Sequence, residues 1–294
     1  MRILILGVSG LIGHRLLQEL SKEFEVFGTL HKHKNKYGNL SLFAGKNIIE
    51  NIDVAEFEIL KGVLQTLKPD VILNCVGITK RKIDSGTPFL PISINSVFPH
   101  RLAQWAIENK KRVIHFSTDC VFDGKVGNYT EESLTTAEDM YGRTKALGEI
   151  NYKSTLTIRS SFIGQELFDK TELLDWFLSQ RETQIKGFKN TLYSGVSTIF
   201  MARFVKNIIL NFPDLNGIYQ LATDKPISKY ELLNLAKEAF KIEIEIIPDN
   251  LHVHRPTLDT TKLKKSTNVI VPSWKEMMSE LAINEAFYSN LKTL

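Results

Sequence analysis

A phenol and an ammonium stand at i and i+4 in Tyr141-Gly142-Arg143-Thr144-Lys145, a spacing that on a helix sets both groups on one face, one turn apart. A cation beside a phenol favours the phenolate. The pairing therefore predicts a tyrosine pKa below its ordinary ~10, with a proton exchangeable with an alcohol or carbonyl near neutral pH. Ser117-Thr118-Asp119 closes the apolar run Val113 to Phe116. Ligands of open α/β sheets lie beyond the carboxyl ends of the strands, so Thr118 and the helix bearing Tyr141 are expected to face one crevice.

A second candidate site lies at the N-terminus. Gly7-Val8-Ser9-Gly10-Leu11-Ile12-Gly13 follows the apolar run Arg2 to Leu6 and opens a helical pattern. Glycines there let the backbone approach a pyrophosphate, whose charge sits at the helix N-terminus. Gly7, Ser9, Gly10, Leu11, Ile12 and Gly13 are thus the expected dinucleotide contacts, although the spacing is G-x-x-G-x-x-G rather than G-x-G-x-x-G. After the second apolar run the chain reads Leu30-His31-Lys32-His33-Lys34, where a carboxylate would receive the ribose hydroxyls of NAD. Cations stand there instead, and they favour a 2′-phosphate. The expected cofactor is NADP(H) rather than NAD, held by His31 and above all Lys32. Asp53 and Val54, after the next apolar stretch, are placed over the adenine.

These residues need elements to position them. Arg2 to Leu6, Glu25 to Leu30, Val71 to Val76 and Val113 to Phe116 read as buried strands. Between them run helical patterns over Leu11 to Leu20, over Ile59 to Leu67 before Pro69, and around Leu102, Ala106 and Ile107. Strands alternating with helices require crossover connections and so a parallel sheet covered on both faces. Leu156 to Ile158 and Ile218 to Leu221 add two more buried strands. Ser228 with Glu231 and Ser273 with Glu276 are capping boxes, while Ile242, Ile244 and Ile246 alternating with Glu243 and Glu245 read as a strand with one wet face. The expected fold is α/β: a Rossmann-type doubly wound parallel sheet with a smaller, partly discontinuous C-terminal substrate lobe. The expected bounds are 1–160 plus about 192–224 for the NADP-binding domain, and about 161–191 plus 225–294 for the lobe.

Composition narrows the classes of function. The chain has 294 residues, 43% of them hydrophobic and 24% charged, which suits a globular protein with a sizeable core. A net charge of +4 with no long basic block argues against nucleic acid or a membrane surface as the main partner and leaves an anionic small molecule. Cys75 and Cys120 make neither a disulfide framework nor a metal-ligand spacing. No apolar run reaches the ~18 residues of a membrane span. The expectation is a cytoplasmic protein. His252, His254 and Asp259 lack a metal-ligand pattern, so no metal is expected. His115, ahead of the Ser/Thr pair on a buried strand, reads as a core residue with satisfied ring nitrogens.

Taken together, the glycine turn, the Ser/Thr after the central strand and Tyr-x-x-x-Lys resemble the extended short-chain dehydrogenase/reductase family, and within it the dTDP-4-dehydrorhamnose reductases and related nucleotide-sugar reductases. The landmarks are Ser117-Thr118-Asp119-Cys120-Val121-Phe122-Asp123-Gly124, Tyr141 to Lys145, Arg159-Ser160-Ser161, Gly195-Val196-Ser197-Thr198, Gly217-Ile218-Tyr219 and Ser228-Lys229-Tyr230. The resemblance implies NADPH-dependent reduction of the 4-keto group of an activated deoxysugar, a step toward cell-surface polysaccharide. It implies that Thr118 polarises the carbonyl, that Tyr141 donates the proton, and that Lys145 binds the nicotinamide ribose while tuning Tyr141. Asn74, Cys75, Val76 and Gly77 would line the cofactor, with Asn95 on the helix that backs it. Substrate would meet Thr118 and Asp119, Trp176 would wall the sugar pocket, and Arg255 would hold the diphosphate, for which arginine is well suited.

Two departures bear on the substrate. Cys120 stands where these reductases carry an aromatic residue, and Lys80-Arg81-Lys82 replaces an acidic helix start. Those cations could meet a diphosphate or form a solvated loop. Two other readings stay open. One is a nucleotide-sugar epimerase or dehydratase, although Cys120 follows Asp119 where a dehydratase has Glu. The other is a non-catalytic NADP-binding regulatory subunit on the same fold. A homodimer is also left open.

Overall fold

Ile3, Leu4, Ile5 and Leu6 are each fully buried, a continuous burial expected only of a strand covered on both faces. Alternate residues serve opposite faces. Ile3 and Ile5 join a core with Leu16, Leu17, Met201 and Met277, whereas Leu4 and Leu6 join one with Leu60, Leu64, Leu102 and Ala106. The computed structural model describes residues 1–38, 40–83, 87–180 and 184–291.

Six of the seven strands of the main sheet come first in the chain: β1 (Arg2–Leu6), β2 (Glu25–Thr29), β3 (Ile48–Ile49), β4 (Val71–Asn74), β5 (Arg112–Ser117) and β6 (Thr155–Arg159). Short strands follow, namely β7 (Phe162–Ile163), β8 (Gln184–Phe188), β9 (Leu192–Tyr193), β10 (Val196–Ser197), β11 (Gly217–Gln220), β12 (Ile227–Ser228) and β13 (Glu245–Asp249). The helices are α1 (Gly13–Leu20), α2 (Phe57–Leu67), the short α3 (Lys80–Ile83) and α4 (Phe89–Pro91), α5 (Phe98–Glu108), α6 (Met140–Leu147) and α7 (Leu173–Leu178). After them come α8 (Thr198–Asn211), α9 (Lys229–Phe240), α10 (Thr261–Thr267), α11 (Trp274–Ile283) and α12 (Glu285–Leu291).

Seven strands form one parallel sheet in the order β11-β6-β5-β4-β1-β2-β3. The order reverses between β1 and β4. That switch point opens a crevice at the strand carboxyl ends, where the glycine turn and Asn74 to Gly77 emerge. The fold is therefore the doubly wound α/β fold expected from sequence.

Several boundaries differ from the periodicity, three of them with a plain local reason. The first helix begins at Gly13 rather than Leu11, because Leu11 and Ile12 belong to the turn. The fourth strand ends at Asn74, two residues before Val76. The strand expected over Ile242 to Ile246 instead runs Glu245–Asp249, since Lys241 caps α9 in the left-handed region and the partner β8 reaches only from Gln184↔Glu245 onward. Both capping boxes form. Ser228 Oγ accepts from the Glu231 amide at 3.1 Å while Glu231 accepts from the Ser228 amide at 3.0 Å. Ser273 and Glu276 do the same at 3.3 and 2.7 Å.

Candidate active site

The glycine turn is built for close approach. Gly7 sits at φ +82°, where an L side chain is strained, and a Cβ on Gly13 would lie 2.1 Å from the Gly7 carbonyl oxygen. The turn is pinned from below: Thr29 Oγ1 accepts from the Gly7 amide at 3.1 Å, and the Thr29 carbonyl accepts from the Val8 amide at 3.1 Å. At the start of α1, Ile12 offers no side-chain cap and the first turn carries no acid. The His14 amide is taken by the Gly10 carbonyl at 3.2 Å, while the Gly13 amide beside it is left for an external anion. Gly28, which sequence reading passed over, belongs to this machinery, since a Cβ there would strike Val8 at 2.4 Å.

The basic tract after β2 is partly neutralised. His33 and Lys34 pair with Glu50 at 3.2 and 3.4 Å, and His31 lies 3.6 Å from Asp53. The Lys34 amide, first among several groups, holds the Glu50 carboxyl below its usual range. Lys32 is exposed and lies outside these pairs; its amide donates to Tyr37 Oη at 3.2 Å. Val54 is buried in the core cluster that includes Leu4, Leu6 and Leu60.

The other wall is made by the ends of β4 and β5 and by α6. Asn74 fixes its own loop: its Oδ1 accepts from the Val76 amide at 3.2 Å and its Nδ2 donates to His115 Nδ1 at 3.0 Å. That orientation puts the His115 proton on Nε2, which is buried without a partner among the described residues. Only one ring nitrogen of His115 is satisfied, a correction to the sequence expectation. Burial holds this imidazole neutral. Asn95 lies in a π-helical turn over Ile92–Val97 and braces rather than lines. Its amide group binds the Ile78 N–H and C=O at 2.8 and 3.0 Å and Thr144 Oγ1 at 3.2 Å, locking the loop after Gly77 to α6.

Thr118, Tyr141 and Lys145 converge as expected, α6 being started by Asp139, which accepts from the Gly142 amide at 2.8 Å. Thr118 Oγ1 accepts from the Cys120 amide and donates to Asp119, each at 3.1 Å, while Ser161 Oγ donates to the same carboxylate. The Tyr141 phenol hydrogen-bonds with Thr118, yet its pKa is raised, not lowered. Burial outweighs every neighbour, and Cys120 adds to it. The Lys145 Nζ donates to the Phe116 carbonyl at 2.7 Å. Burial also lowers the Lys145 ammonium to about 8 and raises the Cys120 thiol to about 12. Beneath them Glu149 and Arg159 form a buried two-pronged ion pair, both contacts 2.7 Å, which also receives Ser117 Oγ at 2.7 Å.

On the facing wall the structure brings forward residues to which sequence reading gave no role. Tyr193, Glu172 and Lys229 border the Thr118 to Cys120 turn. Burial raises the Tyr193 phenol and the Glu172 carboxyl, and Asp119 adds to the first, Glu166 to the second. The Lys229 ammonium is lowered by burial, against an opposing pull from Asp119. His254 packs on Gly124, where a Cβ would sit 2.3 Å from its Nδ1, and burial depresses its pKa. Arg255, the expected diphosphate contact, is exposed, and it is its amide that is tied down, to the Gly124 carbonyl at 2.7 Å. Trp176 is half-buried against the core. The available signal was Ser228-Lys229-Tyr230, read only as a landmark. Among the described residues no group of His, Cys, Asp and Glu could hold a metal, and no helix is long and apolar enough to cross a membrane.

Comparison with known proteins places the chain in a family. The family model described as RmlD substrate binding domain matches residues 1–286. Methionine adenosyltransferase 2 subunit beta of Xenopus laevis is 24% identical, covering 90% of this chain and 82% of its own. The dTDP-4-dehydrorhamnose reductase of Escherichia coli K12 is 25% identical over 96% of this chain and 98% of its own. The crystal structure of dTDP-4-dehydrorhamnose reductase from Bacillus anthracis, in complex with NADP, superposes with a TM-score of 0.80 at 17% identity, covering 96% of this chain and 99% of that one.

Proposed function

Because the chain belongs to the RmlD substrate binding domain family, we propose that it is an NADPH-dependent nucleotide-sugar reductase. It acts on the 4-keto group of an activated deoxysugar, as a cytoplasmic enzyme in the making of cell-surface polysaccharide precursors. The observation that carries this reading is the convergence of Thr118, Tyr141 and Lys145 at the carboxyl end of β5, in the sheet whose β1 ends in the glycine turn. The uncapped start of α1 and the space kept by Gly13 fit a dinucleotide pyrophosphate, and Lys32 suits a 2′-phosphate. NADPH, when bound, supplies the hydride.

The chain's own residues manage the proton. A phenol with a raised pKa stays protonated at neutral pH, so Tyr141 Oη holds the proton that the forming alcohol oxygen takes up. Thr118 Oγ, kept in place by the Cys120 amide, is free to turn its O–H from Asp119 to the substrate oxygen. Lys145, fixed by the Phe116 carbonyl, places a cation one helical turn from Tyr141, which stabilises the phenolate left when the proton departs, until solvent returns a proton to it.

A second reading, a non-catalytic subunit, has one observation behind it: a protein named as a methionine adenosyltransferase subunit is among the relatives. The test is consumption of NADPH absorbance by the purified chain with a panel of dTDP- and UDP-linked 4-keto sugars. Turnover that requires Tyr141 supports the reductase; tight NADPH binding without turnover on any of them favours the subunit.

A further inference from the structure

The C-terminal helix α12 reaches back to the glycine turn. Its Tyr288 is 1% exposed, and Tyr288 Oη lies 2.9 Å from His14 Nε2, while His14 Nδ1 lies 2.9 Å from the Gly10 carbonyl oxygen. His14 itself is fully buried. The two rings meet edge to face at 5.8 Å, and the Arg15 guanidinium stacks 4.9 Å over the Tyr288 ring and 5.8 Å from that of Phe287.

Chemistry fixes the direction of both bonds. A carbonyl oxygen only accepts, so His14 Nδ1 carries a proton. Burial holds the imidazole neutral, lowering its pKa to about 3, so Nε2 is a bare acceptor. Tyr288 must donate, and burial keeps its phenol protonated. A relay results: Tyr288 O–H to His14 Nε2, then His14 Nδ1–H to Gly10 C=O. Gly10 is the middle glycine of the turn, and its amide in turn donates to the Gly7 carbonyl at 3.1 Å. Tyr288 also lies beyond residue 286, the last that the family model matches.

We propose that Tyr288 is a positioning residue for cofactor binding: through His14 it holds the Gly10 carbonyl, and so the turn from Gly7 to Gly13, in the shape that receives a dinucleotide. This rests on the reading of that turn as a dinucleotide site. Coupling of this kind is reciprocal, so a bound dinucleotide must also tighten the docking of α12.

Two measurements on the full chain test it. Tyr288→Phe keeps the ring under Arg15 and removes the hydroxyl, which donates to His14 and also meets the Arg15 side chain. Its NADPH Kd, read by quenching of intrinsic fluorescence, is expected to rise about 3- to 10-fold, the equivalent of one lost hydrogen bond. In the unaltered protein, NADPH should slow amide hydrogen exchange in α12, and in Tyr288→Phe that protection should be lost. An unchanged Kd in a folded Tyr288→Phe overturns the proposal. So does α12 exchange in the unaltered protein that ignores saturating NADPH, a result that holds even if the variant fails to fold. Failure of the unaltered protein to bind NADPH or NADH at all would instead overturn the dinucleotide reading, and the proposal with it.

Discussion

At Tyr141 and Lys145 burial decides what the spacing alone could not. The i, i+4 pairing was legible because a helix fixes it, but its electrostatic consequence was not. Desolvation comes from the whole fold, and it pushes the phenol up against the expected effect of the cation. Tyr141→Phe should therefore bind NADPH as before and lose on the order of 10² to 10⁴ in kcat; near-normal turnover would remove Tyr141 from the chemistry. Lys145 permits a sharper test. Burial lowers it to about 8 in the folded chain, against the ordinary lysine value of 10.5, so the unfolded chain binds the extra proton between those values and stability rises with pH across that window. Below pH 8 the folded protein carries the full cost of the buried cation. Lys145→Met should then abolish turnover while raising Tm by a few degrees at pH 7. The gain should disappear as the pH passes about 10. A lower Tm for the variant at pH 7 would contradict the burial cost.

Elements were legible where their signal is local. Continuous apolar runs disclosed β1, β4, β5 and β6, and the two capping boxes formed as read, since Ser and Glu three residues apart satisfy each other without outside help. What stayed hidden depends on distant partners. β8 is a short mixed segment that becomes a strand only by pairing with β13, some sixty residues on, and that pairing also moves β13 along the chain. The support under β5 was equally hidden. Glu149, Arg159 and Ser117 come from three places in sequence, and only the fold gathers them, with side chains of Arg159 and Glu149 4% and 5% exposed. Such a pair is a poor source of stability but costly to break, because a lone buried charge remains. Glu149→Gln should destabilise the protein by about 3–5 kcal/mol in denaturant unfolding. Changing Glu149 and Arg159 together to apolar residues of similar volume should cost less than that single change. Additive losses would show that the two do not act as a pair.

At the scale of the whole molecule, positively charged side chains stand at both ends of the crevice. At the proposed cofactor end, His33 and Lys34 are drawn to Glu50, which makes Lys32 the cation proposed to discriminate. Lys32→Asp should weaken NADPH far more than NADH, and the preference should fade as salt rises. At the substrate end the sequence pointed to Arg255 because arginine suits phosphate, but residue type says nothing about which side of a loop faces inward. The folded chain exposes Arg255 and instead brings Lys229, from the start of α9, and His254 to the Thr118 turn, opposite Lys80 and Arg81 at the start of α3. Lys229 is the most telling of these, since half-burying an ammonium costs free energy that a bound anion would offset. It feels the charge of Asp119, so an anion held by it would belong to the end of the substrate near the reacting sugar. Lys229→Met should raise KM for the nucleotide sugar about 10-fold or more with kcat little changed, because a contact made equally in the ground and transition states shows in KM alone. NADPH affinity should be intact, and Arg255→Ala should leave both constants as they are. A rise in KM for Arg255→Ala together with normal kinetics for Lys229→Met would return the anion to the loop and reduce Lys229 to a counter-charge for Asp119.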